Sequence, residues 1–142
     1  MTETTAHPTV ARNIFNPNGF EGLIGLEVTE VTADRVRAEW LAQPSHHQPF
    51  GLVHGGVYCG VIESIASIAA FSWLSQNGGG TVVGVNNSTD FLRSARTGAL
   101  YAEANPLHRG RLQQLWEVVV SDENDKHIAR GRVRLQNLAP SA

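Results

Sequence analysis

Between residues 57 and 77 the chain carries no proline and no charge except Glu63, and apolar residues fall nearly all round a helical repeat. The pattern predicts one helix over 55–77, about 34 Å long at 1.5 Å per residue and covered on more than one side. Everything after Gly78-Gly79-Gly80 reads as strand: residues 82–93, 99–107, 112–121 and 126–138, parted by Thr97-Gly98, Arg109-Gly110 and Glu123-Asn124-Asp125. Upstream of the helix, Leu26, Val28 and Glu30 alternate with Glu27, Thr29 and Val31. After Ala33-Asp34, Val36, Ala38 and Trp40 alternate with Arg37, Glu39 and Leu41, which completes a hairpin pattern. Two strands, one long helix and four more strands predict an α+β fold, a helix packed on one mostly antiparallel sheet of about six strands.

Ahead of the hairpin, Asn16-Pro17 is an N-cap and first-turn signal, and Gly22 and Gly25 are stops for a short helix. Residues 1–11, rich in threonine, read as a disordered tail before a single domain over 12–142. The apolar run is near the minimum length of a membrane span. Glu63, the small polar positions and the lack of flanking Lys or Arg argue for a helix inside a folded domain instead.

Composition narrows the partners. With 13 acidic and 11 basic residues the net charge is −2, and no basic stretch offers a footprint for nucleic acid or an anionic membrane. Only 17% of the residues are charged, against about 25% in ordinary soluble domains. So small a chain exposes much of its surface, and the shortfall suggests that part of it is covered by a second copy. One cysteine, Cys59, forms no internal disulfide, and the first twenty residues lack a signal-peptide pattern, so a cytoplasmic location is expected.

Glu63 is the first candidate for chemistry. A carboxylate in an apolar helix is paired, protonated or kept for a task, and a core Glu satisfied by a hydroxyl is the plain alternative. Cys59, Glu63 and Ser67 share one helical face, so Ser67 is placed to orient the carboxylate. Gly55 and Gly56 leave the first-turn N–H groups sterically open at the positive end of the helix dipole, where a carbonyl oxygen gaining charge would be stabilised. The same glycines would also serve simply to permit a tight turn and close packing. Eight residues separate Gly55 from Glu63, about 12 Å along the axis, so the two cannot act on one carbonyl within one chain. Two helices packed antiparallel about a two-fold axis would bring them together, which is the same oligomer the charge count suggests.

Other constellations are weaker. His46, His47 and His54 lack a metal-binding pattern, and no metal or organic cofactor is assigned. Cys59 has no histidine beside it, no Gly-x-Ser-x-Gly elbow occurs, and the three glycines follow a helix rather than open one. Asn86 and Asn87 match a glycosylation pattern without a secretory context. Arg93 and Arg96 flank one turn and His108, Arg109 and Arg111 surround Gly110 at another; if adjacent, the two turns could hold the phosphates of a nucleotide-bearing substrate.

Taken together, Gln48-Pro49-Phe50-Gly51-Leu52-Val53-His54-Gly55-Gly56 followed by Glu63-Ser64-Ile65-Ala66-Ser67 resembles the hotdog-fold acyl-CoA thioesterases. The similarity is to the branch with Glu on the central helix, which includes the PaaI-type, 4-hydroxybenzoyl-CoA and 1,4-dihydroxy-2-naphthoyl-CoA thioesterases, the last belonging to menaquinone synthesis. Val82-Val83-Gly84, the stretch from Arg93 to Gly98, Pro106-Leu107-His108-Arg109-Gly110 and Trp116-Glu117 extend it. The resemblance implies a helix wrapped by an antiparallel sheet, a homodimer with active sites at its interface and usually a homotetramer. It implies that Gln48 and the Gly55 amide polarise the thioester carbonyl, that His54 supports them, that Glu63 of the partner chain is nucleophile or general base, and that Ser67 assists. It places Gly84, Arg93, Ser94, His108, Gly110 and Arg111 along coenzyme A, while Phe50, Val57, Tyr58, Ser64 and Ile68 are the expected acyl pocket. The stretch from Ser88 to Phe91 departs from the family's polar and histidine run.

The expected activity is hydrolysis of an aromatic acyl-CoA, with 1,4-dihydroxy-2-naphthoyl-CoA the first candidate and phenylacetyl, hydroxybenzoyl or medium-chain thioesters behind it. An acyl-CoA-binding regulator and a hydratase or dehydratase of the same fold are the rivals. Intact Glu63 counts against the regulator, and thiol release from a saturated acyl-CoA would separate hydrolysis from the hydratase.

Overall fold

The computed structural model describes residues 16–141, and the tail expected over 1–11 lies outside them. The chain runs α1 (Phe20–Ile24), β1 (Glu27–Val31), β2 (Val36–Ala42), a 3-10 turn at Pro44–His46, α2 (Gly55–Ser75), β3 (Thr81–Phe91), β4 (Gly98–Arg109), β5 (Gln113–Ser121) and β6 (His127–Leu138). The six strands form one antiparallel sheet in the order β1-β2-β4-β5-β6-β3, so the strand that leaves the helix returns at the far edge beside β6. This is the hotdog arrangement, with α2 lying along the sheet.

The burial of α2 explains its apolar composition. Ile62, Ile65 and Ile68 meet Trp40, Leu100, Trp116, Val118 and Leu135 in one core, each isoleucine contributing about 2–3 kcal/mol of apolar burial. By length and composition α2 could cross a membrane, yet most of its apolar window is buried inside the fold. Its outer side is partly covered by α1: a side chain at Gly60 would come within 2.5 Å of the Phe20 ring. Ser64 Oγ donates to Glu21 Oε1 at 3.1 Å.

The short helix starts later than its sequence signals suggest. Asn16 Oδ1 accepts from the Asn18 amide in a local turn, and Gly19 rather than Asn16 is the N-cap. Gly22 does not end the helix; a Cβ there would strike the Pro17 carbonyl, so the glycine admits the incoming chain. Gly25, with φ at 78°, is the stop. The long helix ends at Ser75, two residues short of the expected end. The Gly79 N–H turns back to the Leu74 carbonyl, through residues whose φ values of 103°, 73° and 109° at Gly78, Gly79 and Gly80 suit glycine.

Register shifts explain where alternation fails. In β1 the pairing slips between Val28 and Glu30, and Val28 and Val31 both pack on the core. In β3 the slip lies between Gly84 and Asn86, and in β4 between Pro106 and His108. Each inserts one residue and reverses which side chains face the helix beyond it.

Candidate active site

The start of α2 is built by its own loop. The His54 backbone is extended, and its ring Nδ1 accepts from the Gly56 N–H at 2.7 Å, while its carbonyl takes the Val57 N–H at 2.9 Å. Among the described residues nothing accepts from the Gly55 N–H, which is left at the positive end of the helix. Gly55 is also a packing glycine, since a Cβ would lie 2.6 Å from the Phe91 ring. The loop is anchored from below, where His46 is buried and its carbonyl accepts from the His54 amide at 2.8 Å. Burial holds the His46 ring below its usual pKa. Arg96 Nη1 donates to the Phe50 carbonyl at 3.2 Å, and His47 Nε2 meets the Arg96 carbonyl at 2.6 Å.

Gln48 is oriented by two backbone donors. Its Oε1 accepts from the Phe50 amide and, at 3.5 Å, from the Leu52 amide. Backbone N–H groups only donate, so they determine which end of the side-chain amide is oxygen and leave Nε2 as a donor without a partner among the described residues. Gln48 and Gly55 both line a cavity of about 320 Å³ whose other walls are Leu52, Val53, Tyr58, Phe91, Leu92, Arg93 and Ser94. Two spare N–H donors at one cavity suit an oxygen that gains negative charge.

Glu63 lies elsewhere. Its Oε1 rests on Gly84 of β3, where a Cβ would collide with it, and its Oε2 accepts from Asn87 Nδ2 at 3.1 Å. Ser67, expected to orient this carboxylate, makes no hydrogen bond to it; Asn87 does so from the neighbouring strand. Gly84, expected along coenzyme A, makes room for the carboxylate in its own chain. The slip at Val85 causes this, because it turns Gly84 and then Asn87, Thr89 and Phe91 toward the helix, opposite Leu135, Val133, Gly131 and Ala129. Glu63 is not among the residues lining the cavity at Gly55, in keeping with their offset of eight positions along the helix.

The expected acyl pocket does not assemble within one chain. Ile68 is buried in the core, Ser64 is tied to Glu21, Phe50 is exposed on its loop and Val57 packs at the core's edge. Of that set only Tyr58 lines the cavity, its ring 6.1 Å from that of Phe91. Burial pushes the Tyr58 phenol up to about 12, so the hydroxyl stays protonated.

The two basic turns also stay apart. Arg93 and Ser94 follow the end of β3, which pairs with Ala129, whereas Gly110 and Arg111 join β4 to β5 beside Gln136. Ala129 and Gln136 are seven positions apart along β6, roughly 23 Å. Exposed His108 faces away from the helix, while Arg109 is taken up by structure. Its Nη1 donates to the Ala33 carbonyl at 2.8 Å and to Asp34 Oδ1 at 2.7 Å, and its guanidinium covers Trp73 and Trp116 at 5.8 and 6.0 Å.

Asn87 and Thr89 were not singled out for this site. Their one signal was a pair of polar residues in a strand that faces an apolar helix, and alternation alone cannot choose Asn87 over Asn86.

Known proteins place this arrangement. The sequence profile of the thioesterase superfamily matches residues 50–129. Rv1847 of Mycobacterium tuberculosis, provisionally named an esterase, is 57% identical over 120 residues, covering 84% of this chain and 86% of that one. Its solved structure superposes with a TM-score of 0.84 at 54% identity, covering 87% of this chain and 98% of that one. The proofreading thioesterase EntH of Klebsiella pneumoniae is 34% identical over 123 residues, 87% of this chain and 88% of its own. AziG of S. sahachiroi superposes with a TM-score of 0.83 at 44% identity, covering 86% of this chain and 98% of that one. With a hotdog sheet around a Glu-bearing helix and relatives along most of its length, the chain belongs to the thioesterase superfamily and is a thioester hydrolase.

Proposed function

We propose that the protein hydrolyses an aromatic acyl-CoA to the free acid and coenzyme A, in active sites shared by two chains. The observation that carries this reading is the pair of unpartnered donors, Gly55 N–H and Gln48 Nε2, on one cavity with the carboxylate of Glu63 away from it. The donors hold the thioester carbonyl oxygen as it becomes an oxyanion. Glu63 of the second chain attacks the carbonyl carbon or takes a proton from water as the water attacks. The C–S bond breaks and the thiolate leaves, taking up a proton; when Glu63 acts as base the acid is released directly, and when it acts as nucleophile the acyl–Glu63 anhydride that remains is cleaved by water to the acid and free Glu63. Phe91, exposed at this cavity beside buried Tyr58, offers a flat face to an aromatic acyl group, with 1,4-dihydroxy-2-naphthoyl first among the candidates and phenylacetyl and hydroxybenzoyl next.

The sheet supports the second chain. β3 is an edge strand, and Val83, Val85, Phe91 and Leu92 are exposed along it. Pairing two copies of β3 antiparallel about an axis near Asn87 sets Phe91, which touches Gly55, opposite the partner's Gly84, which touches Glu63. The same axis carries Arg93 and Ser94 toward the partner's turn of His108, Gly110 and Arg111, so the two halves of the expected coenzyme A contact meet. The lone Cys59, with no disulfide to protect, fits action in the cytoplasm.

A panel of aryl-CoA thioesters with thiol detection tests the reading. Glu63→Ala is expected to lower kcat by about 1,000-fold, and a near wild-type rate would overturn the assignment. Co-expression of Glu63→Ala with Gln48→Ala chains is expected to recover about a quarter of wild-type activity, because half of randomly formed dimers carry one intact site. Failure of mixed dimers to recover activity would overturn sharing.

A further inference from the structure

We infer that Asn87, locked in place by Thr89, is the positioning residue that holds the Glu63 carboxylate in its reactive rotamer. The inference rests on the reading of Glu63 as the reacting group, and concerns what makes that group competent. Asn87 Nδ2 donates to Glu63 Oε2 and to the Cys59 carbonyl, both at 3.1 Å, and Asn87 Oδ1 accepts from Thr89 Oγ1 at 2.7 Å. The Cys59 carbonyl can only accept, so the nitrogen of the Asn87 amide must face the helix and its oxygen must face the strand. Thr89 then has to be the donor to that oxygen. Every polar group of the amide is engaged, and its orientation has no alternative.

The consequence falls on Glu63. A glutamate has three side-chain torsions, and an unheld carboxylate would spend most of its time away from one attacking geometry. Here Oε2 is claimed by Asn87 while Oε1 is pressed over Gly84, where no side chain stands in its way. Oε1 is therefore the oxygen left for attack or proton removal, and its direction is set by β3.

The chain of support extends one strand further. Gly131 of β6 is the cross-strand partner of Thr89, and a Cβ there would sit 2.5 Å from Thr89 Oγ1 and 2.9 Å from Ile62 Cγ2. The missing side chain lets Thr89 fold toward Asn87. Glycine at 131, threonine at 89 and asparagine at 87 thus form one device, assembled by the register of β3 on β6 and aimed by the slip at Val85.

Steady-state kinetics on the best aryl-CoA substrate test it. Asn87→Ala is expected to lower kcat about 30-fold with KM within about twofold, as removal of an orienting group predicts. Asn87→Asp, equal in size, is expected to lose at least as much, because it sets an acceptor against the Cys59 carbonyl and the Glu63 carboxylate. Thr89→Val is expected to lower kcat about fivefold and Thr89→Ser to stay within about twofold of wild type, since serine keeps the donor. In a Glu63→Ala background, Asn87→Ala is expected to cost nothing further.

Wild-type kcat in Asn87→Ala, while Glu63→Ala is inactive, overturns this inference and leaves the reading of Glu63 standing. Additive losses in the double variant overturn it as well, and an active Glu63→Ala overturns the reading beneath it. Should the Asn87 variants fail to fold, the Thr89 pair decides: equal losses in Val and Ser overturn the proposal, and rescue by Ser supports it.

Discussion

In β3 the extra residue at Val85 turns Asn87 and Thr89 toward the helix, where they hold the Glu63 carboxylate; in β4 the extra residue at Leu107 turns Arg109 inward and His108 out. Both slips place a polar side chain against α2, yet the surroundings give them opposite tasks. Arg109 Nη1 is spent on the Ala33 carbonyl and Asp34 while the guanidinium lies over Trp73 and Trp116, which joins the β1–β2 turn to the helix and sheet. Asn87 donates both to the Cys59 carbonyl and to Glu63 Oε2, and among the described residues no hydrogen bond claims Glu63 Oε1. The same backbone device thus locks the fold near the C-terminal end of the helix and holds the Glu63 carboxylate near its middle.

The comparison predicts a clean split between activity and stability. The largest effect belongs to Gly84→Ala, expected to lower kcat about 100-fold by displacing Oε1, with the thermal midpoint nearly unchanged because the backbone there needs no special φ. Kinetics and a melting curve on one preparation check it; a kcat near wild type would mean that the carboxylate tolerates displacement. Arg109→Ala should do the reverse, costing about 1–2 kcal/mol in urea unfolding while kcat stays within about twofold. Little of that loss belongs to the ion pair, since Asp34 is largely exposed. A drop in kcat as large as that of Gly84→Ala would break the division between the two slips.

The smallest effect is a pH dependence at the helix start. Burial holds the His46 ring below its ordinary value of 6.5, so the unfolded chain takes up a proton there more readily than the native one. The stability it contributes is complete above about pH 6.5 and is lost as the pH falls below that toward the native value. Because the His46 carbonyl anchors the helix start, the loss should appear at the Gly55 end. Urea midpoints between about pH 8 and 5.5 should fall for wild type and flatten in His46→Gln; parallel curves would remove His46 from this role.

How much of this was legible beforehand follows from the range over which each signal acts. Glu63 stood out because one charge in an apolar helix is a local anomaly, and Gly55 because a glycine pair before such a helix is a local pattern. Gln48 was reached only through family likeness, and the reason it donates lies in two backbone amides of its own loop. Ser67 shares a face with Glu63 by helical spacing, but a shared face is not a hydrogen bond, and the strand packed alongside supplied the nearer donor. The acyl set does not come together within one chain because Ile68 and Ser64 point to different sides of α2, one into the core and one toward α1.

The sequence by itself determined the long central helix, the order of the elements, the lone carboxylate and the distance that keeps it from Gly55 within one chain, because periodicity, composition and the rise of a helix are properties of contiguous residues. Only the tertiary structure decided that β3 lies beside β6, that the two basic turns sit at opposite ends of the sheet, and that Asn87 rather than Asn86 reaches Glu63. Those outcomes depend on strand register. A slip of one residue reverses which side chains face the helix, and the pairing that admits the slip is made between segments far apart in the chain.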